Sequence, residues 1–335
     1  MQIDAGAGIT ASPLQLEAAA VAAENAGYDG FGVPETRHDA FTALSLAGRA
    51  TTAISLHSAI AVAFARNPMS VAVLANDIQL ISGGRFQLGL GSQVRPHIER
   101  RFSMTWSHPV ARMEEFITAV RAIWDSWASG ERLAFRGQFY HHTLMTDFFN
   151  PGPNPHGNPP VMLAAVGGLM TGVAGRAADG MLCHSFTTEA YLRERTVPAL
   201  RAARGSLDGF TLSLPAFVVL GSDERTRTEA EAGVRAQIAF YGSTPAYKPV
   251  LELHGWAELH QHLNTLSRQQ AWAEMAALIS DDVLDVFAVA GNPVEVAATL
   301  HGRFGDVISR ISLYAPYQVD PDEVSAVVAA LRVLK

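Results

Sequence analysis

Short apolar runs alternate with amphipathic or alanine-rich segments along most of this chain. Runs such as FQLGLG and SAIAVAF are continuous in apolar and small residues, as is typical of strands covered on both faces of a parallel sheet. Four of the intervening helices are predicted to begin where a capping side chain precedes a proline, at Ser12-Pro13, Asn67-Pro68, Asn292-Pro293 and Asp320-Pro321. The pattern therefore indicates repeated β-to-α steps.

Eight strands are predicted in all, and each is followed by a helix. Their ranges are 2–8, 28–33, 55–64, 86–90, 161–165, 181–185, 210–220 and 308–313. The economical closure of such a series is an α/β fold of the (β/α)8 type, a TIM barrel. We find no internal repeat that would indicate a solenoid.

Two insertions interrupt the series, one after strand four and one after strand seven. The first, about 94–158, contains a predicted helix over 110–127, a hairpin turned at Arg136-Gly137 and a proline-rich connector. The second, about 223–290, holds two or more helices and is too long for a simple crossover. We interpret residues 1–335 as a single barrel domain that carries both insertions.

The composition favours small molecules as the binding partners of this protein, and it favours neither nucleic acids nor membranes. The 335 residues are 48% hydrophobic with a net charge of −7, and without a basic cluster they favour no nucleic acid. The single cysteine, Cys183, permits no internal disulfide, and the twelve histidines show no spacing that predicts a metal site. No apolar run is long enough to span a membrane, and the first residues do not resemble a signal peptide, so we expect a cytoplasmic protein.

Ligands of parallel barrels bind where the strands end, so the residues after each strand are the first site candidates. Gly91, Ser92 and Gln93 follow the fourth strand. The alternative is that Gly89 and Gly91 merely relieve crowding inside the barrel.

Ionisable side chains crowd the end of the second strand. His38 could move protons near neutral pH, with Glu35 or Asp39 to orient it. The alternative is an ordinary ion-pair loop on the surface.

Two later loops could bind an anion. Gly167 and Gly168 open a helix after the fifth strand, where backbone N–H groups and the helix dipole favour phosphate. Thr187 and Thr188 could add hydroxyl donors after the sixth strand. The alternative for both loops is a tight βα turn.

Several of these segments together resemble the luciferase-like flavin and deazaflavin oxidoreductases. The segments are GYDGFGVPETRHDAF, SGGRFQLGLGSQ, ERRF, PPVMLAAVGGLM and RAADGMLCHSFTTEAYL. More narrowly, the chain is similar to a branch that depends on coenzyme F420 and is common in actinobacteria. The resemblance covers nearly the whole chain, is weakest over 223–284, and implies a (β/α)8 barrel with two insertions.

The resemblance also implies a cofactor site and a cis peptide bond between Ala59 and Ile60. Among the catalytic candidates His38, Glu35 and Asp39, it matches Glu35 and His38 to the family's contacts with the cofactor ring. It places the cofactor against Ala59, Ile60, Ala61, Gly91, Ser92, Gln93, His97, Ala165, Val166, Gly167, Gly168, Ser185, Phe186 and Thr187. This chain departs from the family pattern in one respect, because Thr36 and Arg37 separate the acidic residue from the histidine. Gln93 stands near the position where the F420-dependent sugar dehydrogenases carry a glutamate, which disfavours a sugar substrate.

Three functions follow as hypotheses. The first is an F420-dependent oxidoreductase that transfers a hydride between the deazaflavin C5 and an organic substrate, and the second is an FMN-dependent monooxygenase. The third is a barrel that binds a cofactor without catalysis. The resemblance and the alanine-rich early helices also predict a homodimer.

Overall fold

The computed structural model describes residues 1–334, in which twelve strands form one large sheet and a small hairpin. The strands are β1 (Gln2–Gly6), β2 (Gly30–Val33), β3 (Ser55–Ser58), β4 (Ala61–Val62), β5 (Phe86–Gly91), β6 (Phe135–Arg136), β7 (His141–His142), β8 (Val161–Ala165), β9 (Gly180–Cys183), β10 (Thr211–Val219), β11 (Ala288–Ala290) and β12 (Arg310–Tyr314). Parallel pairing runs β1-β2-β3-β5-β8-β9-β10-β12 and returns from β12 to β1. The predicted eight-stranded parallel barrel is therefore confirmed.

Helices surround this barrel and build the two long connections. They are α1 (Pro13–Asn25), α2 (Ala40–Ala50), α3 (Pro68–Ile81), α4 (Pro109–Ser129), α5 (Gly168–Ala177), α6 (Glu189–Tyr191), α7 (Val197–Arg204), α8 (Glu224–Gly242), α9 (Lys248–Leu253), α10 (Ala257–Arg268), α11 (Trp272–Ala277), α12 (Asp281–Phe287), α13 (Pro293–Phe304) and α14 (Pro321–Val333). The side chains of Ser12, Asn67, Asn292 and Asp320 accept hydrogen bonds from the first turns of α1, α3, α13 and α14, as the capping signals predict.

The third strand differs from its prediction. The sequence predicts one strand over 55–64, whereas the structure has β3, then a cis peptide bond between Ala59 and Ile60, then β4 and a 3₁₀ turn at Ala63–Ala65. The apolar run is unbroken in the sequence, so hydrophobicity alone does not mark the interruption. The cis bond is at the position that the family resemblance implies.

Both long connections contain the predicted kinds of element. Helix α4 and the hairpin β6–β7 lie between β5 and β8, while α8 to α12 lie between β10 and α13. Strand β11 was not predicted, and it extends the sheet beside β10. A second hydrophobic core forms between β10 and the α8–α12 block, separate from the core that joins the barrel to its outer helices. Among residues 1–334, no helix is both long and apolar enough to cross a membrane.

The amino-terminal end of the barrel is filled by charged and polar side chains. Asp4 of β1 and Arg310 of β12 form a buried ion pair, with Arg310 Nε 2.8 Å from Asp4 Oδ2. Arg310 Nη2 also donates to the Ser55 hydroxyl at 2.8 Å. Gly30 leaves room for this group, because an added Cβ there would lie 2.2 Å from Arg310 Nη2. The interior is thus closed at this end, and any ligand must enter from the other.

Candidate functional site

The predicted site residues come together along one half of the barrel's carboxyl-terminal rim. They follow β2, β3, β5, β8 and β9, which are consecutive neighbours in the closed sheet. Residues at the ends of consecutive parallel strands face a common space. The topology therefore gathers candidates that are far apart in the sequence.

Arg66 binds both carboxylates of the loop after β2. Arg66 Nη1 donates to Glu35 Oε1 and Oε2 at 2.9 and 2.8 Å, and Arg66 Nη2 donates to Asp39. Glu35 Oε2 also accepts from the Val62 backbone N–H at 2.8 Å, and Asp39 caps α2 by accepting from Thr42 N–H. The Glu35 side chain is only 7% exposed, so its ion pair with Arg66 is buried and joins two rim loops, whereas the Asp39 side chain is 42% exposed.

His38 lies beside this ion pair but outside it. Its side chain is exposed and makes no hydrogen bond within residues 1–334. The structure therefore directs Glu35 and Asp39 toward Arg66, not toward His38, and it leaves the imidazole free to meet a ligand. Arg66 was not among the predicted site residues.

Two glycines of β5 allow it to approach the segment with the cis bond. A Cβ added to Gly89 would lie 1.8 Å from Ser58 O, and one added to Gly91 would lie 2.8 Å from side-chain carbons of Ile60. The Glu35 N–H donates to Ile60 O at 3.2 Å from the other side. Relief of crowding, the alternative interpretation of these glycines, is thus a real part of their role. Of the crowded neighbours, Ile60 lies within the predicted cofactor segment 59–61, and Ser58 directly precedes it.

Beyond β5 the chain turns sharply. Gln93 has a positive φ of 60°, a conformation uncommon outside glycine, and its Oε1 accepts from the Val94 N–H at 3.0 Å. The Ser92 hydroxyl donates to Gln93 O at 3.1 Å. Ser92 and Gln93 are half-buried, whereas His97 is exposed at the start of a short π-helical turn, His97–Arg101.

Gly167 and Gly168 leave the start of α5 open. Gly167 is the N-cap with φ of −82°, neither glycine has a positive φ, and a Cβ added to either would meet no atom within 4 Å. Neither backbone conformation nor internal crowding therefore requires glycine here, as a tight turn would. The first N–H groups of a helix lack partners within the helix, so this end offers free donors to an anion.

The loop after β9 lies next to that helix start, because Ala165 of β8 is in register with Cys183 of β9. Thr188 caps α6 through the Tyr191 N–H, and its hydroxyl is 2.9 Å from His254 Nε2 of the second insertion. Thr187 is half-buried and makes no hydrogen bond within residues 1–334. Thr187 is thus free to contact a ligand, whereas Thr188 is occupied.

Phe186 was predicted to contact the cofactor, but neither its side chain nor its backbone N–H is available to a ligand. Its side chain is fully buried and stacks on Phe287, with ring centroids 4.5 Å apart. Its backbone N–H donates to His184 Nδ1 at 3.0 Å. Contact with a phosphate would therefore depend on Ser185 and Thr187 on either side.

Aromatic side chains line the rim beyond β9, and the sequence reasoning missed them. The imidazole of His184 packs 4.6 Å from the Tyr247 ring and 4.5 Å from the Tyr241 ring. The hydroxyls of Tyr241 and Tyr314 are 3.2 Å apart. Burial lowers the pKa of His184 to about 4 and raises the pKa of Tyr247 to about 12. The predicted strand 181–185 contains His184, whereas β9 ends at Cys183, so the available signal was an imidazole near the carboxyl end of an otherwise apolar run.

The remaining candidates for chemistry are inert or dispersed. Burial raises the pKa of Cys183 to about 12, so its thiol stays protonated at neutral pH. Within residues 1–334, no three His, Cys, Asp or Glu side chains are grouped so that they could hold a metal ion.

The chain is thus a closed (β/α)8 barrel whose candidate site residues lie on the βα loops of the carboxyl-terminal rim. The chain belongs to the luciferase-like monooxygenase family, which matches residues 2–309. An uncharacterized protein of Mycobacterium tuberculosis is 48% identical over 297 residues, covering 88% of this chain and 87% of that protein. The 5,10-methylenetetrahydromethanopterin reductase of Archaeoglobus fulgidus is 24% identical, covering 92% and 91% of the two chains.

Solved structures share the fold. The coenzyme F420-dependent tetrahydromethanopterin reductase of Methanopyrus kandleri has a TM-score of 0.78 at 18% identity, covering 98% of this chain and 96% of that one. A riboflavin lyase, RcaE, solved with a modified FMN, has a TM-score of 0.76 at 14% identity, covering 100% and 92%. The resemblance to luciferase-like oxidoreductases predicted from the sequence is thus confirmed.

Proposed function

We propose that this protein is an F420-dependent oxidoreductase that transfers a hydride between the deazaflavin and an organic substrate. The observation that carries the proposal is the open helix start at Gly167 and Gly168, beside the free hydroxyl of Thr187. In a luciferase-like barrel, that corner suits the phosphate of a flavin or deazaflavin cofactor. The F420-dependent reductase among the structural neighbours favours the deazaflavin.

The residues on the rest of the rim fit a flat ring system. The site is built from small residues where β3 to β5 approach each other, with Ala61 and Gly91 both buried. When bound, the deazaflavin would supply hydride chemistry, and the protein would supply orientation and exclusion of water. His38 would move the accompanying proton, because it is exposed and has no competing partner. Arg66 would hold the loop that carries His38 in place through Glu35 and Asp39.

An FMN-dependent monooxygenase is the second candidate. The same helix start would accept the FMN phosphate, and one structural neighbour holds a modified FMN. Titration of the purified chain with F420 and, separately, with FMN distinguishes the two by cofactor fluorescence. We expect micromolar or tighter binding of F420 and much weaker uptake of FMN; the opposite order would replace the first proposal by the second. Binding of F420 without turnover across alcohols, ketones and activated alkenes would instead favour the third hypothesis, a barrel without catalysis.

Substitution of Gly168 tests the phosphate corner directly. Gly168→Asp introduces a carboxylate at the helix start, and we expect it to weaken F420 binding at least tenfold by repelling the phosphate. Gly168→Ala is the matched control, since an added Cβ meets no atom within 4 Å and φ is ordinary. Binding of F420 to both variants as tightly as to the wild type would place the phosphate elsewhere.

A further inference from the structure

Next to the predicted cofactor residues that follow β9, the rim carries an aromatic wall, formed by His184, Tyr241, Tyr247 and Tyr314, with the buried ring of Phe217 behind it. Phe217 and Tyr314 are in register on β10 and β12, with ring centroids 5.0 Å apart. Tyr241 lies on α8 and Tyr247 on the 3₁₀ turn that follows, so the second insertion supplies part of the wall. His184 joins the two parts by its contacts with Tyr241 and Tyr247.

The wall faces the inside of the barrel mouth. Side chains alternate along a strand, and Arg310 points into the barrel toward Asp4, so Ser312 and Tyr314 point the same way. The register of β1 with β12 pairs Asp4 with Ser312, which places Gly6 beside Tyr314. A Cβ added to Gly6 would meet no atom within 4 Å. Open space therefore lies directly next to the wall.

Two groups of the wall have hydrogen-bonding capacity that the protein does not use. His184 Nδ1 accepts from the Phe186 N–H, so the neutral ring carries its proton on Nε2, which makes no hydrogen bond within residues 1–334. Tyr241 and Tyr314 share one hydrogen bond between two hydroxyls, and the second O–H proton also has no acceptor among the described residues. Each is a donor available to a ligand.

The wall carries no charge at neutral pH. Burial holds the pKa of His184 near 4, and burial with the neighbouring Tyr241 raises the pKa of Tyr314 well above its ordinary value. The nearest cation along the chain, Lys248, forms an ion pair with Glu252 at 2.8 Å. An anionic group placed here would lose its hydration without gaining a cation.

We propose that the aromatic wall is the substrate-binding face of the site, and that it selects uncharged molecules bearing an aromatic or apolar body and a carbonyl or hydroxyl oxygen. The oxygen would accept hydrogen bonds from His184 Nε2 and from the Tyr241–Tyr314 pair, while the rings pack against the apolar body. The proposal rests on the proposed function, because it assigns the neighbouring rim residues after β2, β3, β5 and β8 to the cofactor.

Three small probes test this selectivity by ligand-observed saturation-transfer NMR. Acetophenone has the ring and the carbonyl, ethylbenzene lacks the oxygen, and 4-acetylbenzoate adds an anion. We expect acetophenone to bind at least tenfold more tightly than 4-acetylbenzoate. Equal or tighter binding of the benzoate, or no detectable binding of acetophenone, would overturn the proposal.

Variants then assign the donors. Tyr314→Phe and His184→Phe keep the rings, and each should weaken acetophenone binding about three- to tenfold while ethylbenzene binding is unchanged, as loss of one hydrogen bond implies. Tyr28→Phe is the control, because Tyr28 is half-buried at the opposite end of the barrel. Tyr241→Phe substitutes for Tyr314→Phe if thermal melting shows that variant to be unfolded. Parallel losses for acetophenone and ethylbenzene would mean that the hydroxyls and Nε2 are not the donors.

The measurements are made with the chain alone and with the chain saturated with F420. If F420 fails to bind but the probe selectivity holds, the proposed function fails and the aromatic wall remains a binding face. If F420 binds but the variants do not discriminate between the probes, the inference about the wall fails alone.

Discussion

At the scale of single residues, His184 and His38 represent two opposite environments for the same side chain. The imidazole of His184 is packed between two tyrosine rings and fixed by a backbone N–H, whereas His38 is exposed and unpaired within residues 1–334. The first therefore serves as a neutral donor of fixed orientation, and the second remains available for proton transfer.

His184 should make the protein sensitive to acid. Its folded pKa of about 4 lies below the ordinary value, so the unfolded chain takes up this proton first as the pH falls. The associated stability is complete above pH ~6.5 and is lost as the pH falls toward 4, amounting to about 2 kcal/mol between pH 7 and 4.5. Urea unfolding of His184→Phe at several pH values should show a correspondingly shallower acid-side decline than the wild type. An unchanged slope would show that His184 titrates normally.

His38→Ala should separate catalysis from folding. Because the side chain is exposed and unbonded, its removal should leave the melting temperature and F420 affinity nearly unchanged. Loss of a general acid or base typically lowers turnover by about 100-fold or more. Steady-state kinetics on an identified substrate provides the measurement, and undiminished turnover would remove His38 from the mechanism.

At the scale of elements, Arg66 joins the loop after β2 to the turn after β4. Arg66→Met would leave Glu35 buried without its cation, and breaking a buried pair in this way typically costs about 3 kcal/mol. Arg95→Met is the matched control, since the Arg95–Glu99 pair is exposed and should be worth under about 1 kcal/mol. Chemical denaturation of both variants measures the difference. Similar small losses of unfolding free energy in the two variants would show that the ion pairs of Arg66 do not stabilise the rim.

Helix starts were predictable because their signals are local, whereas the interruption of the third strand was not. Ser12 and Asn67 cap helices through N–H groups three residues away, within the range that sequence patterns capture. Arg66, by contrast, is 31 residues from Glu35, and no local pattern connects them. Of the site, the rim loops followed from the strand order. The aromatic wall, however, joins residues from the loop after β9, from α8 and from β12, which only the folded second insertion brings together.

At the scale of the whole molecule, the dimer predicted from the early helices stays a prediction. The structure reduces the number of apolar side chains on α3 that a second copy of the chain could contact. Ala72 and Ala75 are buried within the single chain, and Trp124 of α4 donates to Ala72 O at 3.0 Å. The apolar side chains that α3 still exposes are Val73, Leu80 and Ile81, at 42%, 52% and 44%. A second copy of the chain packing on this stripe would cover them.

Light scattering at low micromolar concentration should therefore give a mass near twice 35.9 kDa. Leu80→Glu should shift the mass toward the monomer by placing charges in that contact. Val333→Glu provides the control, because Val333 is 84% exposed on α14, away from α3 in the sequence. A monomeric wild type at tenfold higher concentration would contradict the predicted dimer.

The ion pair between Asp4 and Arg310 also bears on how the chain is made. Its two members belong to the first and last barrel strands, so during synthesis the carboxylate of Asp4 has no cation partner until the chain has been made as far as β12. Until β12 arrives, β1 and β10 present open edges that can pair with other chains. A premature stop codon or proteolytic cut shortly before Arg310 would thus yield an aggregation-prone fragment, although seven of the eight barrel strands would be present.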